Sequence, residues 1–151
     1  ITLGHLDVIS RAAKVFDRLI VAVSMAHSKK TLFELPERMN IAQDALKSIA
    51  NVRVIAFEGL IVDFCAQHGA QTIVRGIRNA TDLDYEAQMA AMNRKMRADV
   101  DTMFLLPSPD VQCISSTLVR EISKLGGDVS QMVTLDVAQA LEAAHRPKLQ
   151  A

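Results

Sequence analysis

Leu19-Ile20-Val21-Ala22-Val23 is an unbroken apolar run, and Val52-Arg53-Val54-Ile55-Ala56-Phe57 is the next stretch of strand-like character. A continuous apolar run of this length reads as a strand covered on both faces, because a half-exposed strand would alternate. Between the two lie a polar loop, His27-Ser28-Lys29-Lys30, and Glu34-Leu35-Pro36-Glu37, which places a proline and acids in a first helical turn. That opening predicts a helix running to about Ile49. A strand, a helix and a strand in that order need a crossover, so the two strands are expected to lie parallel.

The same alternation extends in both directions. Upstream, the segment from His5 to Phe16 carries Ile9, Ala12, Ala13 and Phe16 on one helical face. Downstream, Leu60 to His68 reads as a short helix closed by Gly69, and Thr72-Ile73-Val74 as a third strand ending at Arg75-Gly76-Ile77-Arg78. A long helix is expected from about Asp82 to Arg97, with Thr81 as its N-cap. Met103-Phe104-Leu105-Leu106 reads as a fourth strand, broken by Pro107 and Pro109. Two helices follow, Ser116 to Leu125 and Leu135 to about Ala144, separated by Gly126-Gly127. The pattern predicts one α/β domain over residues 1–151, built on an open parallel sheet with helices on both faces. Such an architecture starts with a strand, whereas this sequence starts on the turn that would follow one. The expectation is a central strand supplied by about a dozen further N-terminal residues.

Composition narrows the function classes. The chain has 151 residues, half of them hydrophobic, which suits a single buried core. Seventeen basic residues balance seventeen acidic ones, so no global field draws it to nucleic acid or to anionic membrane, and any phosphate binding must be local. Cys65 and Cys113 stand far apart, without ligand-like spacing to the four histidines. No zinc site or disulfide framework is expected, which fits a reducing cytoplasm. No apolar run approaches membrane-spanning length, and aromatic residues are scarce, against a base-stacking platform.

Ligands of open parallel sheets bind at the carboxyl ends of the strands. Those ends offer a selective set: His5 in a first helical turn after Gly4, Lys29 and Lys30, the Leu60-Ile61 corner, Arg75 and Arg78, and Cys113-Ile114-Ser115-Ser116-Thr117. Each has an ordinary structural reading as solvated turn, structural arginine or helix cap. Cys113 is expected to be a small buried residue beside the site, and Tyr85, Met89, Met92 and Met96 a helical stripe for core or subunit contact. Convergence of the cations, a histidine and a hydroxyl-rich helix start on one rim points to a polyphosphate site assembled from separate loops.

Two of these stretches carry a resemblance. Thr2-Leu3-Gly4-His5 resembles the T/H-x-G-H motif of the nucleotidylyltransferase superfamily, and Ile114-Ser115-Ser116-Thr117-Leu118-Val119-Arg120 its ISSTxxR-type motif. Val74-Arg75-Gly76-Ile77-Arg78, with Asp84-Tyr85-Glu86, Met92-Asn93-Arg94 and Ser28-Lys29-Lys30, is similar to the bacterial phosphopantetheine adenylyltransferase family, in order and spacing across essentially the whole chain. The resemblance implies a Rossmann-like fold of nucleotidylyltransferase type. It also implies transfer of the adenylyl group of ATP to 4′-phosphopantetheine, giving dephospho-coenzyme A and pyrophosphate.

By that resemblance His5 is the transition-state stabiliser and an ATP contact. Gly76, Ile77, Arg78, Glu86, Val111, Gln112, Cys113, Ile114, Ser115, Ser116 and Thr117 would complete the ATP site. Lys29, Ile61 and Arg75 would bind the phosphopantetheine. Magnesium would enter on the triphosphate, with no protein metal ligands. A homohexamer, inhibition by coenzyme A and a cytoplasmic location are further implications. The family's Gly-Thr/Ser-Phe-Asp-Pro segment, which supplies a hydroxyl to both substrates, does not occur here, and Val111 and Cys113 stand where the family often has aromatics. Two other readings differ in chemistry. A superfamily member using another acceptor, such as nicotinamide mononucleotide, would be separated by substrate competition. A non-catalytic nucleotide sensor would bind ATP and release no pyrophosphate.

Overall fold

A computed structural model describes residues 1–25 and 31–145. Seven helices and four strands alternate among these residues. Strand β1 (Leu19–Ser24) pairs in parallel with β2 (Val52–Phe57), Leu19 lying opposite Val52 and Ser24 opposite Phe57. Strand β3 (Thr72–Gly76) pairs in parallel with β4 (Asp101–Leu105), from Thr72 opposite Asp101 to Gly76 opposite Leu105. Parallel pairing and flanking helices are as the alternation predicts.

The two pairs do not meet. Among the described residues no ladder joins β1 to β3, and the sheet is two parallel pairs. Between them opens a cavity of about 1150 Å³ bordered by Leu19, Val21, Ile73 and Val74. The facing edges keep backbone groups that a ladder would otherwise use.

Helix α1 (Leu3–Ala12) starts before His5, with Thr2 as N-cap, and ends well short of Phe16. Helix α2 (Leu35–Leu46) opens as expected, with a proline in its first turn and the Glu34 amide donating to the Glu37 carboxylate at 2.9 Å. Helix α3 (Ile61–His68) ends at Gly69, whose φ of 65° is the left-handed cap that only glycine adopts without strain. Helix α4 (Ala80–Met96) is capped by Asn79 and not by Thr81. The Asn79 amide oxygen accepts from the Asp82 backbone at 2.9 Å, which leaves Thr81 inside the first turn.

Strand β4 stops at Leu105, leaving Leu106 exposed. Beyond it Pro109 does more than break a strand: it opens a short helix, α5 (Pro109–Gln112), where a missing N–H costs nothing. Helices α6 (Ser116–Lys124) and α7 (Leu135–His145) follow. Cys113 is exposed, against the expectation of a buried residue, because it caps the unanticipated α5 on its outer side. Cys65 is buried.

Two apolar clusters flank the cavity. Ile114, Val119, Val129, Val133, Val137 and Leu141 tie α6 and α7 together, with Ile1 and Leu3 packed against them. Val62, Cys65 and Val100 form the other beneath α3. The Tyr85, Met89, Met92 and Met96 stripe of α4 is not core, since all four are 40–62% exposed.

Two substitutions separate packing from backbone strain. Leu141→Ala should cost about 3 kcal/mol by leaving a void in the larger cluster. Gly69→Ala, where a Cβ would meet nothing within 4 Å, should cost about 1 kcal/mol from its dihedral alone. Urea titrations of both variants check the ranking, and an equal loss would contradict it.

Candidate functional site

The carboxyl ends of the strands and the first turns of α1 and α6 face the same cavity. Of the residues singled out from sequence, His5, Ile61, Arg75, Gly76, Arg78, Glu86, Val111, Ile114, Ser115, Ser116 and Thr117 all line it. Ile77 does not: it is buried, and its amide donates to the Leu105 carbonyl at 2.9 Å, continuing the strand pairing. Gln112 and Cys113 also lie off the cavity wall, although the Gln112 amide donates to the Arg78 carbonyl and so braces the loop after β3. Lys29 and Lys30 fall outside the described residues.

His5 occupies the third position of α1, inside the first turn. Its Nδ1 accepts from the Thr2 backbone N–H at 3.1 Å and lies 2.8 Å from the Thr2 hydroxyl. Lost solvation among the cleft walls, then nearby positive charges including Arg78 and Arg75, push its pKa down from 6.5 to about 4. The ring keeps an open side toward the cavity, and water there works against the shift. Either way it is mostly neutral at pH 7, since even the unshifted value lies below that. Gly4 gives α1 its close approach, but to protein: a Cβ there would sit 3.3 Å from the Val111 carbonyl oxygen.

The two arginines are held by carboxylates. Arg75 Nε donates to Glu86 Oε2 at 2.7 Å, and its Nη2 donates to the other carboxylate oxygen. The Glu86 hydrogen bonds outweigh partial burial and hold the guanidinium more firmly protonated. Two of its nitrogens are used in this way, which leaves Nη1 to meet a phosphate. Arg78 Nε and Nη2 donate to Asp82 at 2.9 and 3.2 Å, and those bonds lower the Asp82 pKa. Both ion pairs join the end of β3 to the first turns of α4, so the cations are aimed by a helix.

At the far wall Ser115 caps α6, its hydroxyl accepting from the Leu118 amide at 3.1 Å. The N–H groups of the first turn beyond it have no intrahelical acceptors and point into the cleft with the positive dipole end. Such a helix start suits an anion.

Several residues that sequence reading passed over complete the frame. The Asp7 carboxylate accepts from the Ser108 backbone at 2.9 Å and from its hydroxyl at 2.7 Å, and Arg11 lies 3.6 Å away. Partial burial alone would raise the Asp7 pKa, but the Ser108 bonds, aided by Arg11, hold it below its usual value. This pair fixes α1 against the segment that enters α5, and Asp7 directly follows the motif that carries His5 by two residues. A side pocket of about 130 Å³ opens beside Arg75, lined by Ile61, Tyr85, Glu86, Met89 and the buried Asn93. Its walls mix apolar side chains (Ile61, Ile73, Met89) with the Arg75–Glu86 ion pair, Asn93 and Thr102, so apolar and hydrogen-bonding groups lie side by side.

Among the described residues no three His, Cys, Asp or Glu side chains converge as metal ligands, and no helix is long and apolar enough to cross a membrane. The donor set is cationic and hydroxylic and matches phosphate oxygens.

Comparison with known proteins agrees with this chemistry. Residues 1–122 match the cytidylyltransferase-like family. A phosphopantetheine adenylyltransferase of Acidovorax sp. (strain JS42) is 55% identical over 141 residues, covering 93% of this chain and 86% of that protein. Its counterpart in Paraburkholderia xenovorans (strain LB400) is 48% identical over 142 residues, covering 94% and 83%. That of Thioalkalivibrio sulfidiphilus (strain HL-EbGR7) is 45% identical over 143 residues, covering 95% and 90%. This chain therefore belongs to the cytidylyltransferase-like family and, within it, to the phosphopantetheine adenylyltransferases.

Proposed function

We propose that this phosphopantetheine adenylyltransferase works by in-line displacement at the α-phosphorus of ATP, with His5 donating a hydrogen bond to the α-phosphate as negative charge builds there. The reaction transfers adenylyl from ATP to 4′-phosphopantetheine and releases pyrophosphate. Its nucleophile is a phosphate oxygen, already anionic because the second pKa of a phosphomonoester is about 6. No general base is required. The work left to the protein is positioning and charge neutralisation.

The observation that carries this reading is the single cavity faced by His5, Arg75, Arg78 and the start of α6. In it the free edge of Arg75 takes the acceptor phosphate, and the Ile61 side pocket takes the pantetheine arm. Arg78, Gly76, Glu86, Val111 and the α6 start with Ser116 and Thr117 take ATP. Lys29 remains part of the proposed substrate shell, while Ile77 and Gln112 act through the loop that carries Arg78, and Cys113 ends the turn of α5 that precedes the α6 start. Magnesium would enter with ATP and shield the triphosphate charge, since this ion keeps its waters and binds chiefly through substrate oxygens.

The exposed Tyr85, Met89, Met92 and Met96 face of α4 supports assembly of copies, for which we favour the homohexamer. Coenzyme A, which contains the pantetheine arm and the adenylyl group, would compete for this cavity as a product-like inhibitor. A cytoplasmic location suits both substrates.

His5→Ala should lower kcat by about 100-fold or more, the loss typical for one well-placed donor to a developing oxyanion, with the KM for ATP little changed. Pyrophosphate release measured with 4′-phosphopantetheine and, separately, nicotinamide mononucleotide as acceptor checks this and the substrate together. Release with the second acceptor only would overturn the assignment. Met96→Glu should break the assembly into smaller species by light scattering, and an unchanged mass would remove α4 from the interface.

A further inference from the structure

A donor to the α-phosphate must carry its proton on the nitrogen that faces substrate, and a neutral imidazole has only one proton to place. The local geometry of α1 bears on which nitrogen holds it. Thr2 is 4% exposed, and its backbone N–H, which can only donate, reaches His5 Nδ1 at 3.1 Å. The Thr2 hydroxyl sits 2.8 Å from the same nitrogen. A proton on Nδ1 would set donor against donor and leave a buried backbone N–H without an acceptor. With Nδ1 bare, the Thr2 N–H has its acceptor, the hydroxyl can turn to donate to the same nitrogen, and the only proton of a neutral ring is on Nε2.

We propose that Thr2 is a positioning residue that locks His5 in the Nε2–H tautomer and aims that N–H into the cavity. The inference rests on the role of His5 given above, and it adds a residue that does not itself need to touch substrate. The lock is rigid because the start of α1 is held at several points. The Leu3 amide donates to the Met132 carbonyl at 2.9 Å, and Asp7 grips Ser108. The charged groups that face the ring reinforce the neutral form. Lost solvation disfavours a charged ring, and Arg78 in the loop after β3 and Arg75 at its end, both positive, act in the same direction. The imidazole is thus a neutral, oriented donor placed among fixed cations.

The test is nitrogen-15 histidine NMR on the intact protein at pH 7, with the His5 signals assigned by their loss in His5→Gln. The expected spectrum has a protonated Nε2 and a bare, acceptor-type Nδ1. In Thr2→Val, which keeps the backbone N–H at Nδ1 and removes only the hydroxyl, the Nε2–H tautomer should persist while the ring loses one of its two tethers, and kcat should fall by about 10-fold. The KM for ATP should hold, and Thr2→Ser, which returns the hydroxyl, should restore kcat. A protonated Nδ1 in the unmodified protein overturns the proposal, even if the variants fail to fold. So does a Thr2→Val protein whose ring is protonated on Nδ1, or one that turns over as fast as the unmodified protein. The spectrum is read without substrate, so absence of pyrophosphate release would count against the proposed reaction and not against the lock.

Discussion

Parallel pairing is the constraint on which the rest of the structure depends. In register from Leu19 with Val52 and from Thr72 with Asp101, each pair ends its strands side by side and sends the chain onward from the same edge. Arginines at the end of β3 and the corner after β2 therefore reach one rim without any long loop to carry them. Antiparallel pairing would scatter them to opposite ends. The helices then refine the aim: α4 supplies Glu86 and Asp82 to hold the two arginines, and α1 and α6 present their first turns to the space between the pairs. The site is a consequence of topology before it is a set of side chains.

That origin explains which parts were legible in the sequence. His5, Arg75, Arg78 and Ser115 to Thr117 could be gathered because the rule for parallel sheets names the strand ends, and those residues stand there. Family resemblance then narrowed the acceptor, which no periodicity could do. Short-range hydrogen bonding was harder to read. Asn79 and Thr81 are both acceptable N-caps, and only backbone geometry decides between them. Cys113 looked like a small buried residue because α5 was hidden behind two prolines that normally signal a break. The Asp7–Ser108 bond spans 101 positions and leaves no periodic trace at all.

Charge shows the same economy. The chain carries equal numbers of acids and bases, so attraction for polyphosphate has to come from arrangement. Each arginine at the rim is tied to a carboxylate on one edge of its guanidinium, which fixes its direction and spares the entropy of ordering it when substrate arrives. The tie also lessens the net positive charge, so tight ground-state binding of a polyanion is tempered. For a reaction whose substrates and products all carry phosphate, a rim of bare cations would hold every species well and discriminate poorly between them.

A neutral His5 fits that balance better than a charged one. A third cation beside Arg75 and Arg78 would bind ground-state ATP more strongly, and that gain is uniform binding with no effect on the chemical step. A neutral N–H donor interacts weakly with the diffuse charge of the resting phosphate and more strongly as charge concentrates during displacement. The features that keep His5 neutral, namely its cleft, the neighbouring cations and the Thr2 donors at Nδ1, are the same ones that orient it. Orientation and charge state are therefore a single property of the α1 start, and the residue just outside the helix has as much part in setting it as the histidine itself.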